Sequence, residues 1–225
     1  MNSLQLVEQR KRIAEITGYN PNDLSQSYLR SDVLLNSGAQ FAFDFTFNKA
    51  GSNKTERLLA TNDIFIITAI GIRFKKISAA TATDVLHSNA KSYTFINTAA
   101  GIFDGAAGDA KLQGLYSGNL SVLIDNKNIF PAIPMQYFER ITTAQQGNIN
   151  AAIAGPVTYA TQRDANEGSN WGFFPVEPFI IKGDGKNYIN LNGPVSQDYT
   201  EANENNYATC YLSGYLGQNC NNVRS

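Results

Sequence analysis

The sequence predicts an all-β fold with a short helical arm at its N-terminus. About ten strand-like runs with turn signals between them follow one another from residue 40 onward. No helical segments alternate with these runs, and apolar residues recur at helical spacing only near the N-terminus. Folds that alternate strands and helices are therefore disfavoured, and a β-sandwich or barrel remains.

The N-terminal segment differs from the rest of the chain. Its apolar residues lie among charged ones, and Gly18 with the Asn-Pro-Asn turn behind it can end a helix. A second short helix is predicted through Leu24 and Leu29, so residues 1–36 are predicted to form the helical arm. Two placements stay open: the arm folds back on its own domain, or it reaches a neighbouring subunit or an inner layer. The apolar positions of the first helix are Leu4, Leu6, Val7, Ile13 and Ile16.

Period-two alternation starts at Gln40 and predicts a half-buried strand. Residues 64–74 are apolar on both faces, which predicts a strand inside a sheet that is covered on both sides. Residues 78–89 are predicted to be a loop, and residues 91–96 another strand. The alternating face of the first strand consists of Phe41, Phe43, Phe45 and Phe47.

The second half of the chain begins with a stretch rich in Gly and Ala, residues 99–111, which predicts a loop because glycine disfavours helices. Two short runs around Ser117-Gly118-Asn119 predict a β-hairpin. Pro131 and Pro134 indicate an edge strand, since proline cannot donate a ladder hydrogen bond. The remaining predicted strands cover residues 151–160, 171–181, 188–192 and 207–216.

This strand count favours one architecture. A jelly roll arranges eight strands in two sheets, and the chain has these with a short excess. A single jelly roll over residues 37–225 is the most economical prediction. A double jelly roll stays open, as does a subdivision near residues 126–150.

The composition points to a neutral polar surface. Charged residues make up 16% of the chain, below the usual share, and the formal net charge is -1. Such a surface suits dense assembly, because strong like charge would push copies apart, and it also suits sugar binding. The basic clusters, residues 10–12 and 73–76, are predicted to be solvated faces or strand ends. Direct nucleic-acid binding by the main body is therefore not predicted.

The sequence offers little for metals, cofactors or membranes. No signal peptide or apolar span is apparent, so synthesis in a cytoplasm is expected. Cys210 and Cys220 are predicted to be free, partly buried thiols rather than a disulfide. The chain has one histidine, His87, and we predict no metal site and no cofactor.

Two arrangements could carry catalysis, and neither is specific. His87 has Asp84 and Ser88 nearby in sequence, but a loop histidine at the surface is favoured. A pair of carboxylates could hydrolyse glycosides, yet most of the candidates are followed or preceded by glycine, which is typical of turns. We therefore predict no catalytic residues and no enzyme. The candidate carboxylates are Asp104, Asp109, Glu177 and Asp184.

Aromatic residues form the strongest pattern. One group surrounds residues 171–179, and three tyrosines recur every four residues near the C-terminus. Burial in the core is the default interpretation, and a subunit contact or a sugar-stacking platform are the alternatives. An exposed Tyr or Trp beside Asn and Asp would support sugar binding. The residues are Trp171, Phe173, Phe174, Phe179, Tyr207, Tyr211 and Tyr215.

Residues 58–68, residues 115–134 and the run Glu-Pro-Phe-Ile-Ile-Lys-Gly at 177–183 resemble capsid proteins of bacterial viruses with jelly-roll folds. The resemblance implies a virion protein that self-assembles into an icosahedral shell, through trimers or similar capsomers, without catalytic residues. It also implies contacts with other virion proteins, and an arm that grips a neighbour or faces an inner layer or membrane. A minor capsid, spike-base or penton role fits equally well. The alternative functions are a carbohydrate-binding or adhesin module and, ranked lowest, a glycosidase.

Overall fold

The computed structural model describes residues 3–45, 57–78, 91–93, 108–138, 173–201 and 204–219. Strands dominate these residues, and two α-helices and two 3-10 turns accompany them. In chain order the elements are α1 (Ser3–Thr17), a 3-10 turn (Pro21–Asp23), β1 (Leu24–Leu34), β2 (Ser37–Asp44), β3 (Ile64–Ser78), β4 (Lys91–Tyr93), α2 (Gly108–Tyr116), β5 (Asn119–Ile124), β6 (Lys127–Pro134), a second 3-10 turn (Met135–Phe138), β7 (Phe173–Lys182), β8 (Asn187–Asp198) and β9 (Glu204–Gly217).

The strands form two antiparallel sheets. Sheet A has the order β1-β9-β3, and β7 and β4 pair with successive parts of β3 on its far side. Sheet B has the order β2-β8-β5-β6. Apolar side chains from both sheets belong to one buried cluster, so the sheets form a sandwich. The predicted all-β sandwich is confirmed.

Alternating side chains build the core, as the sequence pattern predicts. Phe41 and Phe43 of β2 are buried, whereas Ala42 between them is exposed. Ile189 and Leu191 of β8 are buried in the same cluster, and Tyr188 points away from it. Phe47, the last member of the predicted alternating face, lies outside the described residues.

Strand β3 is covered on both faces, which confirms the prediction from its uninterrupted apolar run. Phe65 and Ile67 contribute to the core between the sheets. Ile64 and Ile66 belong to a second buried cluster, in which they lie with Ile13 and Ala14 of α1. After the register shift between Ile67 and Ala69, the even-numbered residues of β3 face the core instead of the odd-numbered ones.

Helix α1 packs on the outer face of sheet A of its own chain. Its C-terminal half provides Ile13, which is 4% exposed, and Gly18 ends it with a φ of 74°. Of the two placements left open for the first helix, the structure has the folded-back one. Ile16, one turn further along α1, is 61% exposed and takes no part in this contact.

We expect Ile13→Ala to lower the free energy of unfolding by about 2–4 kcal/mol, because it leaves a cavity between α1 and sheet A. Ile16→Ala is the matched control and should change stability by less than about 0.5 kcal/mol. Urea titrations followed by circular dichroism measure both. Equal effects of the two substitutions would contradict the packing of α1.

The predicted second helix of the arm is wrong. Residues Leu24–Leu34 form strand β1, which pairs with β9 along its full length. These residues include polar and β-branched types that form helices poorly alone, and the long pairing partner offers every backbone group a ladder position. Strand β1 is therefore part of the sandwich, and the helical arm ends at Thr17 rather than at residue 36.

The predicted loop and strand before Ser117 are also wrong in part. Residues Gly108–Tyr116 form helix α2, whose Leu115 and Tyr116 are buried in the core. Burial of these two side chains compensates for the low helix propensity of the glycines. The hairpin instead joins β5 to β6 through Asp125 and Asn126, which have φ values of 48° and 64°.

Strand β6 is the edge of sheet B, as its two prolines predict. Strand β6 pairs with β5 in the sandwich, so no division of the fold falls within Lys127–Pro134. Strand β4 accounts for part of the strand predicted over residues 91–96. The predictions for residues 79–89, 99–107 and 151–160 and for Trp171 lie outside the described residues.

Candidate interaction surfaces

The candidate catalytic carboxylates do not form a pair where they are described. Glu177 is exposed in the middle of β7, and Asp184 is exposed in the turn after it. Lys182, where β7 ends before the turn of Asp184, lies five residue steps along the strand from Glu177, or about 16 Å, which exceeds the spacing of glycosidase carboxylates. The side chain of Asp109 and residues Asp84, His87, Ser88 and Asp104 lie outside the described part of the chain.

Several aspartates stabilise turns. The backbone N–H of Gly185 donates to the Lys182 carbonyl at 3.0 Å, so Asp184 lies in a tight turn as predicted. Asp125 Oδ1 accepts from the Lys186 N–H at 3.0 Å and ties this turn to the β5–β6 hairpin. Asp198 Oδ1 accepts from the hydroxyl and N–H of Thr200 and from Ser37, and these hydrogen bonds lower the pKa of Asp198.

Metal ligands do not cluster in the described ranges, where no three His, Cys, Asp or Glu side chains come together. Cys210 is a free, buried thiol on the core side of β9, as predicted, while Cys220 lies outside the described residues. Burial, and next the charge of Asp32, raise the pKa of the Cys210 thiol well above its usual range. This thiol is therefore suited to packing rather than to nucleophilic chemistry.

No helix in the described part of the chain is long and apolar enough to span a membrane.

The three C-terminal tyrosines have different environments. Tyr215 is buried beneath α1. Tyr211 accepts a hydrogen bond from Lys75 Nζ at 3.1 Å and contacts the ring of Phe173 edge-on, with centroids 6.4 Å apart. Burial, and then the charge of Asp32, raise the pKa of Tyr207. The core interpretation therefore holds for Tyr215, and the other two lie in a polar part of sheet A.

A buried ion pair lies in strand β1. Arg30 is 1% exposed, its Nε donates to Asp32 Oδ1 at 3.3 Å, and its Nη2 donates to Asp32 Oδ2. Their even numbers put both side chains on the face of sheet A opposite Leu29, which belongs to the core. Arg30 Nη1 has no acceptor in the part of the chain that the structure describes. A paired but incompletely satisfied buried charge makes this position sensitive to substitution.

Several exposed apolar side chains lie at two opposite edges of the sandwich. One group, the β1 patch, consists of Tyr28 and Leu34, which lie about 20 Å apart on the same face of β1. The Arg57 guanidinium lies 5.2 Å from the centroid of the Tyr28 ring and restrains it. A cleft of about 140 Å³ lined by Val7, Arg10, Gln26 and Tyr215 lies between α1 and this edge.

The second group, the β6 patch, consists of Ile129 on β6 and Tyr137 in the following 3-10 turn. Tyr137 is 60% exposed, and its ring stacks on Phe174 of β7 at 4.9 Å with an interplanar angle of 12°. Phe130 of β6 contacts Phe179 of β7 edge-to-face, with ring centroids 5.5 Å apart. An exposed aromatic side chain held by stacking is typical of an interface anchor.

The outer face of sheet B is different in character, because it is polar and nearly uncharged. The register places Tyr188 between Asp44 and Leu123, and Asn190 between Ala42 and Ser121. Asn192 lies between Gln40 and Asn119 in the next row. The Asn192 amide donates to Asn119 Oδ1 at 3.0 Å and to Ser121 Oγ at 3.1 Å.

The aromatic pattern in the sequence did not include this face. Tyr188 appears there only as one alternating residue of a short strand, whereas the groups singled out were near Trp171 and Tyr211. The signal that could have identified it is the run Tyr188-Ile-Asn190-Leu-Asn192, in which one face is aromatic and amide. Comparison with known proteins adds no relative, since no family model, no curated protein and no solved structure matches the chain.

Proposed function

We propose that this chain is a single jelly roll that assembles with copies of itself into the shell of a virion. The strand pairing supports the jelly roll. Apart from the short β4, the strands pair in a nested order: β1 with β9, β2 with β8, β3 with β7 and β5 with β6. Two four-stranded sheets that result from such nested antiparallel pairs are typical of a jelly roll.

The placement of the exposed apolar side chains supports self-assembly. The β1 patch and the β6 patch are different surfaces at opposite edges of the sandwich. When a copy uses one patch to bind the other patch of its neighbour, the contact is heterologous and can close into a ring. A trimer is the ring that we propose, and its neutral surface allows such rings to pack densely.

The resemblance to capsid proteins supports the proposed role in a virion. Its three stretches cover the start of β3 with the segment before it, the end of α2 with β5 and β6, and the second half of β7, so they include strands of both sheets. Other virion proteins are the further partners, and the exposed Ile16 on α1 is available for a neighbour or an inner layer. The protein is proposed to be structural and not an enzyme. A minor capsid or spike-base role would use the same two patches.

Two double variants test the heterologous contact. Tyr28→Ser/Leu34→Ser removes the β1 patch, and Ile129→Ser/Tyr137→Ser removes the β6 patch. Light scattering coupled to size exclusion, with electron microscopy of the wild-type protein, should show trimers or larger particles for the wild type and monomers for each double variant. Because each variant keeps one intact patch, mixing the two should produce a heterodimer that grows no further.

Val195→Ser is the control, since Val195 is exposed on β8 outside both patches. It should assemble like the wild type, and all variants should keep the circular dichroism of the folded protein. A wild-type protein that stays monomeric at high concentration would overturn the proposal. Two variants that still assemble separately would overturn the heterologous contact.

A further inference from the structure

We infer that the cleft between α1 and sheet A binds a carboxylate that is carried on a short apolar group. The cleft has a volume of about 140 Å³, and its described lining consists of Val7 and Arg10 of α1, Gln26 of β1 and Tyr215 of β9. A cavity of about 150 Å³ can hold a molecule as large as benzene. A carboxylic acid with a few carbon atoms therefore fits this cleft.

Arg10 belongs to the face of α1 that packs on sheet A. Ile13 and Ala14, three and four residues further along, are buried in the cluster between the helix and the sheet. Residues at these spacings share one helix face. Arg10 is accordingly half-buried, whereas Lys11 and Arg12 are exposed. The prediction of a solvated face for the first basic cluster is therefore confirmed for residues 11 and 12 but not for Arg10.

The Arg10 guanidinium has a buried donor, Nε, without an acceptor in the part of the chain that the structure describes. Acidic neighbours along the helix are excluded by the sequence, because the positions three and four residues before and after Arg10 hold Leu6, Val7, Ile13 and Ala14. A positive charge in a partly desolvated place attracts an anion more strongly than the same charge in water. The helix side of the cleft therefore favours an anionic ligand.

The sheet side of the cleft adds two groups that can donate hydrogen bonds. Gln26 lies directly opposite Tyr215 in the register of β1 and β9, so both side chains project from the same face of sheet A. Burial raises the pKa of Tyr215, and the charge of Arg10 opposes this shift, so the hydroxyl is protonated at neutral pH and lies within electrostatic reach of the guanidinium. A phenol and an amide both donate to carboxylate oxygens.

The lining favours a carboxylate over a phosphate. Arg10 is the one charged residue among the described lining residues, which matches a monoanion, and the planar guanidinium can donate to both oxygens of a carboxylate. Val7 is 40% exposed and provides an apolar wall for the group that carries the carboxylate. A free short-chain acid and the glutamate side chain of a neighbouring copy share this chemistry.

Titration with isobutyrate, followed by saturation-transfer NMR of the ligand, tests the site. We expect saturable binding with a dissociation constant of about 1–10 mM, and no saturable binding of isobutyramide, its neutral isostere, or of inorganic phosphate over the same range. Arg10→Met should weaken isobutyrate binding at least about tenfold, because it keeps the apolar stem and removes the charge. Arg10→Lys should restore only part of the affinity, since lysine lacks the planar fork.

The matched control is Arg12→Met, which removes the same charge from an exposed position of the same helix, and it should bind isobutyrate as the parent protein does. Circular dichroism confirms that each variant is folded. Absence of isobutyrate binding, equal binding of isobutyramide or phosphate, or unchanged binding by Arg10→Met would overturn the inference.

Two backgrounds distinguish the sources of the carboxylate: the wild type and the Ile129→Ser/Tyr137→Ser variant, whose substitutions lie outside the cleft. Binding of isobutyrate to both supports a free acid as the occupant. Binding to the variant alone supports a carboxylate of a neighbouring copy that fills the cleft in the assembly, and the Arg10 variants are then compared in that background. The titration does not require assembly, so failure of assembly and failure of carboxylate binding are distinguishable.

Discussion

Gly214→Ala is expected to lower the free energy of unfolding by about 3 kcal/mol and to leave much of the protein unfolded or aggregated. Gly214 lies in β9, between Ser27 of β1 and Ile67 of β3. A Cβ atom at this position would lie 1.9 Å from the Ile66 carbonyl oxygen. The neighbour is backbone in a central strand beside the register shift of β3, so it cannot move aside without breaking ladder hydrogen bonds.

The matched control is Gly38→Ala in the edge strand β2. A Cβ atom there would have its nearest neighbour, the Phe41 ring, 4.0 Å away. We expect this substitution to be neutral or slightly stabilising, because alanine restricts the unfolded chain. Soluble yield, thermal unfolding and urea titration compare the two variants. A Gly214→Ala protein as stable as the Gly38→Ala protein would show that β9 does not approach β3 this closely.

Arg30→Met should lower the free energy of unfolding by about 3–5 kcal/mol, because it leaves the buried Asp32 carboxylate without its guanidinium partner. Methionine keeps most of the apolar stem of arginine, so the loss of stability reflects the removed charge rather than lost packing. Urea titration at neutral pH measures the effect. Arg57→Met provides the control, since the Arg57 side chain is exposed over Tyr28 and should contribute less than about 1 kcal/mol.

The double variant Arg30→Met/Asp32→Leu separates the effect of breaking the ion pair from the effect of changing the side chain at position 30. Replacing both buried charges by apolar side chains also removes the buried carboxylate, so we expect the double variant to be more stable than Arg30→Met alone. Additive losses from the two substitutions would contradict a direct coupling between Arg30 and Asp32.

The sequence predicted the strands whose side chains alternate or are apolar throughout. Strand β3 and strand β2 are examples, since their patterns follow directly from which faces are buried. Strand β1 was missed because it carries no such pattern: Ser31 lies between Leu29 and Val33 on the core face, and pairing with β9 determines the strand. Helix α2 was missed because glycine content outweighed the two buried side chains at its end.

The interaction surfaces were predictable only in part. The spacing of Tyr188, Asn190 and Asn192 predicted an alternating strand with one polar face. Their neighbours Ala42 and Ser121 on the outer face of sheet B come from strands far away in sequence, and a single sequence does not specify that register. The buried ion pair gave no signal at all, because charged residues in a sequence are normally interpreted as solvated.

The pairing of β1 with β9 also governs how the protein is made. The first strand, Leu24–Leu34, is synthesised long before its partner, Glu204–Gly217, which in turn separates β1 from β3. Sheet A therefore cannot close on the ribosome until β9 has emerged, and such long-range pairing slows folding. Nascent chains that stop before β9 would expose unpaired strand edges, which are prone to aggregation during this interval.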